Sequence, residues 1–296
     1  MNLLKNCSLC PHKCGVNRYI EKGFCGATNK VRLAYYSLHM WEEPIISGSN
    51  GSGAVFFSNC NMHCLYCQNK QISLEGYGKD ISNKKLGEIF LDLQNKGAHN
   101  INLVTPTPYV PQIARVLRNI KNKELKIPVV YNTSSYENIG TIIMMRNLVD
   151  IYLADLRYFD DSLGIRYSKC KNYFETATMA IDEMFRQVGP PIIADGLLKK
   201  GLVVRVLILP GHIHDAKEII HYLYTTYHND IFISIMNQYT PVTSCKYENL
   251  NRKITEDEYE EVINFALTIG VDNAFIQEGD TAMESFIPKF DKNVIK

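Results

Sequence analysis

The sequence predicts an α/β fold, a partial (β/α)6 TIM-like barrel preceded by a small cysteine-rich segment, and three observations carry that prediction. Apolar, β-branched runs alternate with helical periods along most of the chain. Almost every such run ends in an unusual loop, as the strands of a barrel do where they feed one site. Seven of the nine cysteines precede residue 68, so thiol chemistry is concentrated at the front. The chain divides accordingly into a metal-binding segment with its linker at 1–50 and the barrel at 51–296.

A chain of 296 residues is long enough for one large α/β domain and a small appendage. The net charge of +1 gives no reason to expect a membrane or nucleic-acid partner. No apolar run approaches the roughly 18 to 20 residues of a spanning helix. Met1 to Lys5 is too short in apolar length for a signal peptide, so a cytoplasmic protein is expected.

The first 30 residues hold Cys7, Cys10 and Cys14 in a C-x2-C-P-x2-C pattern, then Gly23-Phe24-Cys25-Gly26. This stretch has almost no apolar periodicity and cannot bury a core of its own. Four thiolates on one metal would supply the missing folding energy, as zinc or as a second iron-sulfur cluster. Free thiols are the alternative. Lys5, Lys13, Arg18, Lys22, Lys30 and Arg32 read as a solvated basic face. Trp41-Glu42-Glu43-Pro44 and the glycine-rich 48–53 read as linker.

Strands are expected at Val55–Phe57, Ile101–Val104, Pro128–Tyr131, Ile151–Ala154, Val203–Leu209 and Ile231–Ile235, with a possible seventh at Ala274–Gln277. Leu86, Ile89, Phe90 and Leu93 follow the i, i+3, i+4, i+7 spacing of a helix, as do Ile113, Val116, Leu117 and Ile120. Tyr259, Val262, Ile263 and Ala266 repeat it. Thr255 and Glu258 form a capping box before that last helix, and Asp215 with Glu218 a looser version before the preceding one.

Strand, helix, strand repeated about six times means parallel strands joined by crossovers, in a barrel or an open sheet. The odd residues favour the barrel. The second run ends in Thr105-Pro106-Thr107-Pro108, the third in Asn132-Thr133-Ser134-Ser135, the fourth in Asp155-Leu156-Arg157, the fifth in Pro210-Gly211-His212 and the sixth in Asn237-Gln238-Tyr239. No glycine-rich phosphate loop follows any strand, which disfavours dinucleotide and nucleoside-triphosphate sites.

The first run ends in Cys60, Cys64 and Cys67, a C-x3-C-x2-C cluster. Soft thiolates suit iron-sulfur clusters or zinc, and a set of three leaves a coordination position open. Zinc would want a fourth ligand, and His63 is poorly placed between the cysteines. C-x3-C-x-aromatic-C after the first strand resembles the radical S-adenosylmethionine (SAM) superfamily. The resemblance implies that Cys60, Cys64 and Cys67 hold a 4Fe-4S cluster whose remaining iron binds SAM. It also implies cleavage of SAM to a 5′-deoxyadenosyl radical, adenine contact by Tyr66, and a flavodoxin- or ferredoxin-type electron donor.

The likeness is nearest to the activating enzymes of glycyl-radical enzymes, the pyruvate formate-lyase activating enzyme group, and to a branch related to them. Cys67-Gln68-Asn69 resembles that group's Cys-His-Asn, Asp155-Leu156-Arg157 its Asp-Leu-Lys, and Val203 to Gly211 its fifth strand ending in Pro-Gly. Asn132-Thr133-Ser134 takes the place of its Asp-Thr-Asn. The chain departs at Thr105-Pro106-Thr107, where the group has a Gly-Gly-Glu turn, and in carrying its extra cysteines before the radical cluster. By this likeness Tyr66, Thr105, Thr107, Asn132, Ser134, Asp155, Arg157, Arg205 and Gln238 are candidates for the SAM pocket.

Asp155 and Arg157 lie two apart and share a face of their strand. Arg205, inside an apolar run, needs an anion, either Asp155 or the SAM carboxylate. His212 and His214 read as loop histidines, and Cys170 and Cys245 as structural thiols. The expected function is hydrogen-atom abstraction from a substrate, a protein in the manner of an activase or else a small metabolite or cofactor precursor. From another class, the rival is a non-catalytic zinc-binding interaction module.

Overall fold

The computed structural model describes residues 3–241 and 244–277; Met1, Asn2 and the end of the segment read as 51–296 lie outside the described residues. Its centre is one curved sheet. Strands β2 (Ser52–Phe57), β4 (Ile101–Val104), β5 (Val129–Thr133), β6 (Ile151–Asp155), β8 (Leu197–Leu207), β9 (Phe232–Met236) and β10 (Ala274–Ile276) lie side by side and parallel, in chain order. All seven expected runs are strands, with ends shifted by a few residues. Strand β1 (Val31–His39), which no periodicity singled out, pairs antiparallel with β2 and carries the short β3 (Lys79–Ile81) at the edge. A further short strand, β7 (Ile192–Ala194), forms a hairpin with the start of β8.

Helices cover the outer face. Those between the parallel strands include α3 (Asn83–Asn95), α4 (Val110–Ile120), α7 (Tyr173–Val188) and α8 (Ile213–Tyr227), and α9 (Glu256–Ile269) precedes β10. Leu86, Ile89, Phe90 and Leu93 of α3 and Ile113, Val116 and Leu117 of α4 are buried against the outward residues of the sheet, such as Leu103, Tyr131, Tyr152 and Val204. The capping box of α9 forms as its sequence predicts. The looser one does not: Asp215 turns away and accepts from the backbone N–H groups of Phe159 and Asp160. The helix begins at Ile213, with His212 as its N-cap, so Asp215 lies inside the first turn and not at the capping position.

The concave face is plugged at one end. Helix α1 (Pro44–Ser47) sets Ile46, fully buried, against Val130 and Ile151, at the starts of their strands, and against Leu153 and Val203 further along. Such burial contributes on the order of 1.5–3 kcal/mol. The stretch read as linker therefore enters the sheet's interior and closes its amino end. The carboxyl ends stay open for a site. No helix among the described residues is long and apolar enough to cross a membrane.

Candidate active site

A cavity of about 840 Å³ fills the concave side. Cys60, Cys64 and Cys67 line it, brought there by the turn that follows β2. Asn59 and His63 take left-handed backbone conformations within that turn, and Asn59 Nδ2 donates to Tyr109 Oη at 2.7 Å. Burial, and then the nearby Cys64, push the Cys60 thiol up to about 12; burial also raises Cys64. Such thiols stay protonated at neutral pH unless a metal displaces the proton.

Register sets the charged wall. Asp155 on β6 pairs with Arg205 on β8 and Arg205 with Ser234 on β9, so all three share the concave face. Arg205 Nε donates to Asp155 Oδ1 at 2.7 Å, one Nη to Asn132 Oδ1 at 2.8 Å, and the other reaches Glu42 Oε2 at 3.3 Å. Arg157 holds the second Asp155 oxygen at 2.5 Å. Burial would raise the Asp155 pKa, but the two guanidiniums outweigh it and hold it below the usual carboxylate range. The anion that Arg205 needs is thus Asp155, joined by Glu42.

Glu42 and Glu43 are the residues that sequence reasoning missed. Glu42 also accepts from Asn102 Nδ2 at 2.8 Å, and burial raises the pKa of both glutamates against the opposing pull of Arg205. Two adjacent acids before a proline looked like linker, and only their place beneath a charged strand position gives them a role.

Eleven of the twelve predicted radical-site residues line the cavity: the three cysteines, Tyr66, Thr105, Asn132, Ser134, Asp155, Arg157, Arg205 and Gln238. Thr107 does not. Thr105 has φ +59°, which reverses the chain into a short 3-10 turn and carries Thr107 to the far side, where its hydroxyl donates to Glu137 Oε1 at 2.6 Å. His212 is also outside the cavity, between Tyr167 and Asn249, while His214 is exposed beside Glu218. Cys170 is buried and Cys245 partly so.

Cys7, Cys10, Cys14 and Cys25 surround a separate, small cavity of about 10 Å³. Arg18 belongs to it too, which corrects its reading as part of a solvated face. Only 1% exposed, Arg18 donates to the carbonyls of Pro108 and Thr28, and its Nε has no hydrogen-bond partner among the described residues. Phe24 stacks on His63 at 4.6 Å, and His12 Nε2 lies 2.7 Å from the carbonyl of Asn61. The N-terminal segment is thereby packed on the loop of Cys60 to Cys67.

Whether these residues suit metals and SAM follows from their donors. Among the described residues no three Cys, His, Asp or Glu side chains stand where a single ion would bind them all. A cubane cluster makes no such demand, since each thiolate takes a different iron. Arg157 Nε and Glu43 Oε2, on the cavity wall, are a buried donor and a buried acceptor without partners among the described residues. They complement the carboxylate and ammonium of an amino-acid moiety such as that of SAM.

A curved parallel sheet with a thiol triad after one strand and a charged cavity along the other strand ends has the architecture of a cofactor-dependent enzyme core. The chain belongs to the radical SAM superfamily, whose model matches residues 54–223. That family's domain implies a 4Fe-4S cluster and SAM. A protein of Methanocaldococcus jannaschii, the uncharacterized MJ0674, is 30% identical, the match covering 92% of this chain and 77% of that protein. Among solved structures, Streptococcus suis SuiB bound to S-adenosylmethionine matches with a TM-score of 0.52 and 14% identity, covering 75% of this chain and 49% of SuiB. SuiB bound to precursor peptide SuiA matches with a TM-score of 0.52 and 12% identity, covering 75% and 47%. The chain thus spans about half the length of SuiB, and that likeness is one of fold.

Proposed function

We propose that the chain is a radical SAM enzyme that abstracts a hydrogen atom from a polypeptide, in the manner of an activase. The observation that carries the reading is that Cys60, Cys64 and Cys67 share one cavity with Asn132, Asp155, Arg157 and Arg205. When bound, the cluster and SAM supply one-electron cleavage of the sulfonium bond and the 5′-deoxyadenosyl radical. The protein's own part is binding and orientation. Arg157 and Glu43 offer a matched donor and acceptor to an amino-acid moiety, Arg205 holds Asp155 and Asn132 in place, and Tyr66 walls the cavity beside the cysteines. A flavodoxin- or ferredoxin-type donor would supply the electron.

The exposed apolar side chains Met40, Trp41 and Ile276 on the cavity wall support a polypeptide substrate. The half-buried acids Glu42 and Glu43 favour the second reading, a small cationic metabolite or cofactor precursor. A non-catalytic zinc module has no use for either. For the N-terminal set we propose a structural metal centre, zinc or a second iron-sulfur cluster; a single zinc ion would require the thiols to draw together, since no three of them stand within reach of one ion among the described residues. Metal-bound thiolates there would supply the countercharge for buried Arg18, which has no carboxylate partner among the described residues.

Anaerobically prepared protein should be brown, contain iron and sulfide, and release 5′-deoxyadenosine from SAM under dithionite. Colourless protein holding only zinc after anaerobic reconstitution would overturn the reading.

A further inference from the structure

The Cys64 sulfur is the end of a buried chain of hydroxyls. Ser168 Oγ donates to Cys64 Sγ at 3.0 Å, Tyr158 Oη stands 2.6 Å from Ser168 Oγ, and Tyr66 Oη stands 2.5 Å from Tyr158 Oη. A serine hydroxyl has one proton. With it committed to sulfur, the Ser168 oxygen accepts from Tyr158, and Tyr158 in turn accepts from Tyr66. The chain therefore has one direction, toward the thiol, and the Arg157 guanidinium stands against its outer end at Tyr66.

Ser168 and Tyr158 are fully buried, so no water competes for these protons. Burial also holds the Tyr158 phenol well above its ordinary pKa, which keeps its proton in place. Ser168 is the last residue of helix α6 (Asp161–Ser168), and the carbonyl before it, that of Tyr167, accepts from Leu65 N at 2.8 Å. The helix end is thus fastened to the cysteine loop by backbone as well as side chain. No spacing in the sequence joins residues 64, 66, 158 and 168.

We propose that Ser168, oriented by Tyr158 and Tyr66, sets the reduction potential of the iron-sulfur centre through its hydrogen bond to the Cys64 thiolate. The inference rests on the reading of Cys64 as a cluster ligand. A hydrogen bond withdraws electron density from the thiolate and stabilises the reduced, more negative state, which raises the potential. Ser168 is a positioning residue, since it reaches the chemistry only through sulfur. Because Tyr66 also walls the cavity, an occupant there is two hydroxyls removed from Ser168.

The test is a redox titration of the reconstituted holoenzyme followed by electron paramagnetic resonance. Iron and sulfide are assayed first: a wild type lacking both overturns the underlying reading and this proposal with it. Given a centre, Ser168→Ala should lower the ratio of reduced to oxidised centre about tenfold at fixed poise, equivalent to about −59 mV for one electron. Ser168→Thr, which keeps the hydroxyl, should restore the wild-type value. Should Ser168→Ala fail to assemble a centre, Tyr158→Phe must show a smaller negative shift, because it leaves Ser168 its proton but removes its orienting donor. An unchanged potential in the assembled alanine variant, or in Tyr158→Phe where that variant stands in for it, overturns this proposal alone.

Discussion

Asp155 and Arg205 face each other across adjacent parallel strands, Nε to Oδ1 at 2.7 Å, and between them they gather Arg157, Asn132 and Glu42 into one largely buried network at the cavity wall. Arg205→Met should break it. Asp155 would keep Arg157, but Glu42 would lose the only cation within reach of its carboxylate among the described residues. Leaving a buried charge uncompensated costs about 3–5 kcal/mol. Denaturant unfolding should show a loss of that order, and Arg205→Lys should recover only part of it, because an ammonium cannot present the guanidinium's fork.

This network also shows how far the sequence is legible. Asp155 and Arg157 could be paired from their spacing, and the need of Arg205 for an anion follows from its apolar neighbours. Glu42 could not be found the same way. It reaches Arg205 only because α1 plugs the sheet, a tertiary event with no local signature beyond a proline and two isoleucines. Thr107 shows the converse: it lies two residues from Thr105, yet a backbone reversal at Thr105 turns it out of the site. Strand runs and cysteine spacing are local and legible. Partners brought together by the fold are not.

Thr105 carries a conformation that a β-branched residue rarely takes, at a cost of about 1–3 kcal/mol. Glycine adopts it without that strain, although it gives up more backbone entropy on folding. Thr105→Gly should therefore leave thermal stability unchanged or slightly raised, while the loss of the side chain from the cavity wall raises the KM for SAM. A clear drop in melting temperature would contradict this account of the turn.

The two cysteine sets should separate under mutation. Cys64→Ala should abolish 5′-deoxyadenosine formation, and retained turnover would mean that the cluster is misplaced. Cys10→Ala should instead loosen the N-terminal segment by removing one ligand of a closed site. Zinc content, melting temperature and the cluster's visible absorbance distinguish the two results. A loss of absorbance without unfolding in Cys10→Ala would mean that the second centre is iron-sulfur.

Glu137 is 2% exposed and accepts at Oε1 from Thr107, Tyr131 and Thr133, while Oε2 has no partner among the described residues. Burial pushes its pKa up to about 7 despite those three donors. The sign follows: with a folded pKa above the unfolded one, the site's stability is fully present below about 4.5, where both states are protonated. It is lost as pH rises to about 7, where the folded state must bury a charge. The loss is about 3 kcal/mol at 1.36 kcal/mol per pH unit. Glu137→Gln cannot ionise, so its stability relative to wild type should rise by about that amount between pH 4.5 and 7.5 and then level off. Urea unfolding of both proteins across this range checks it, and parallel curves would mean that Glu137 titrates normally in the fold.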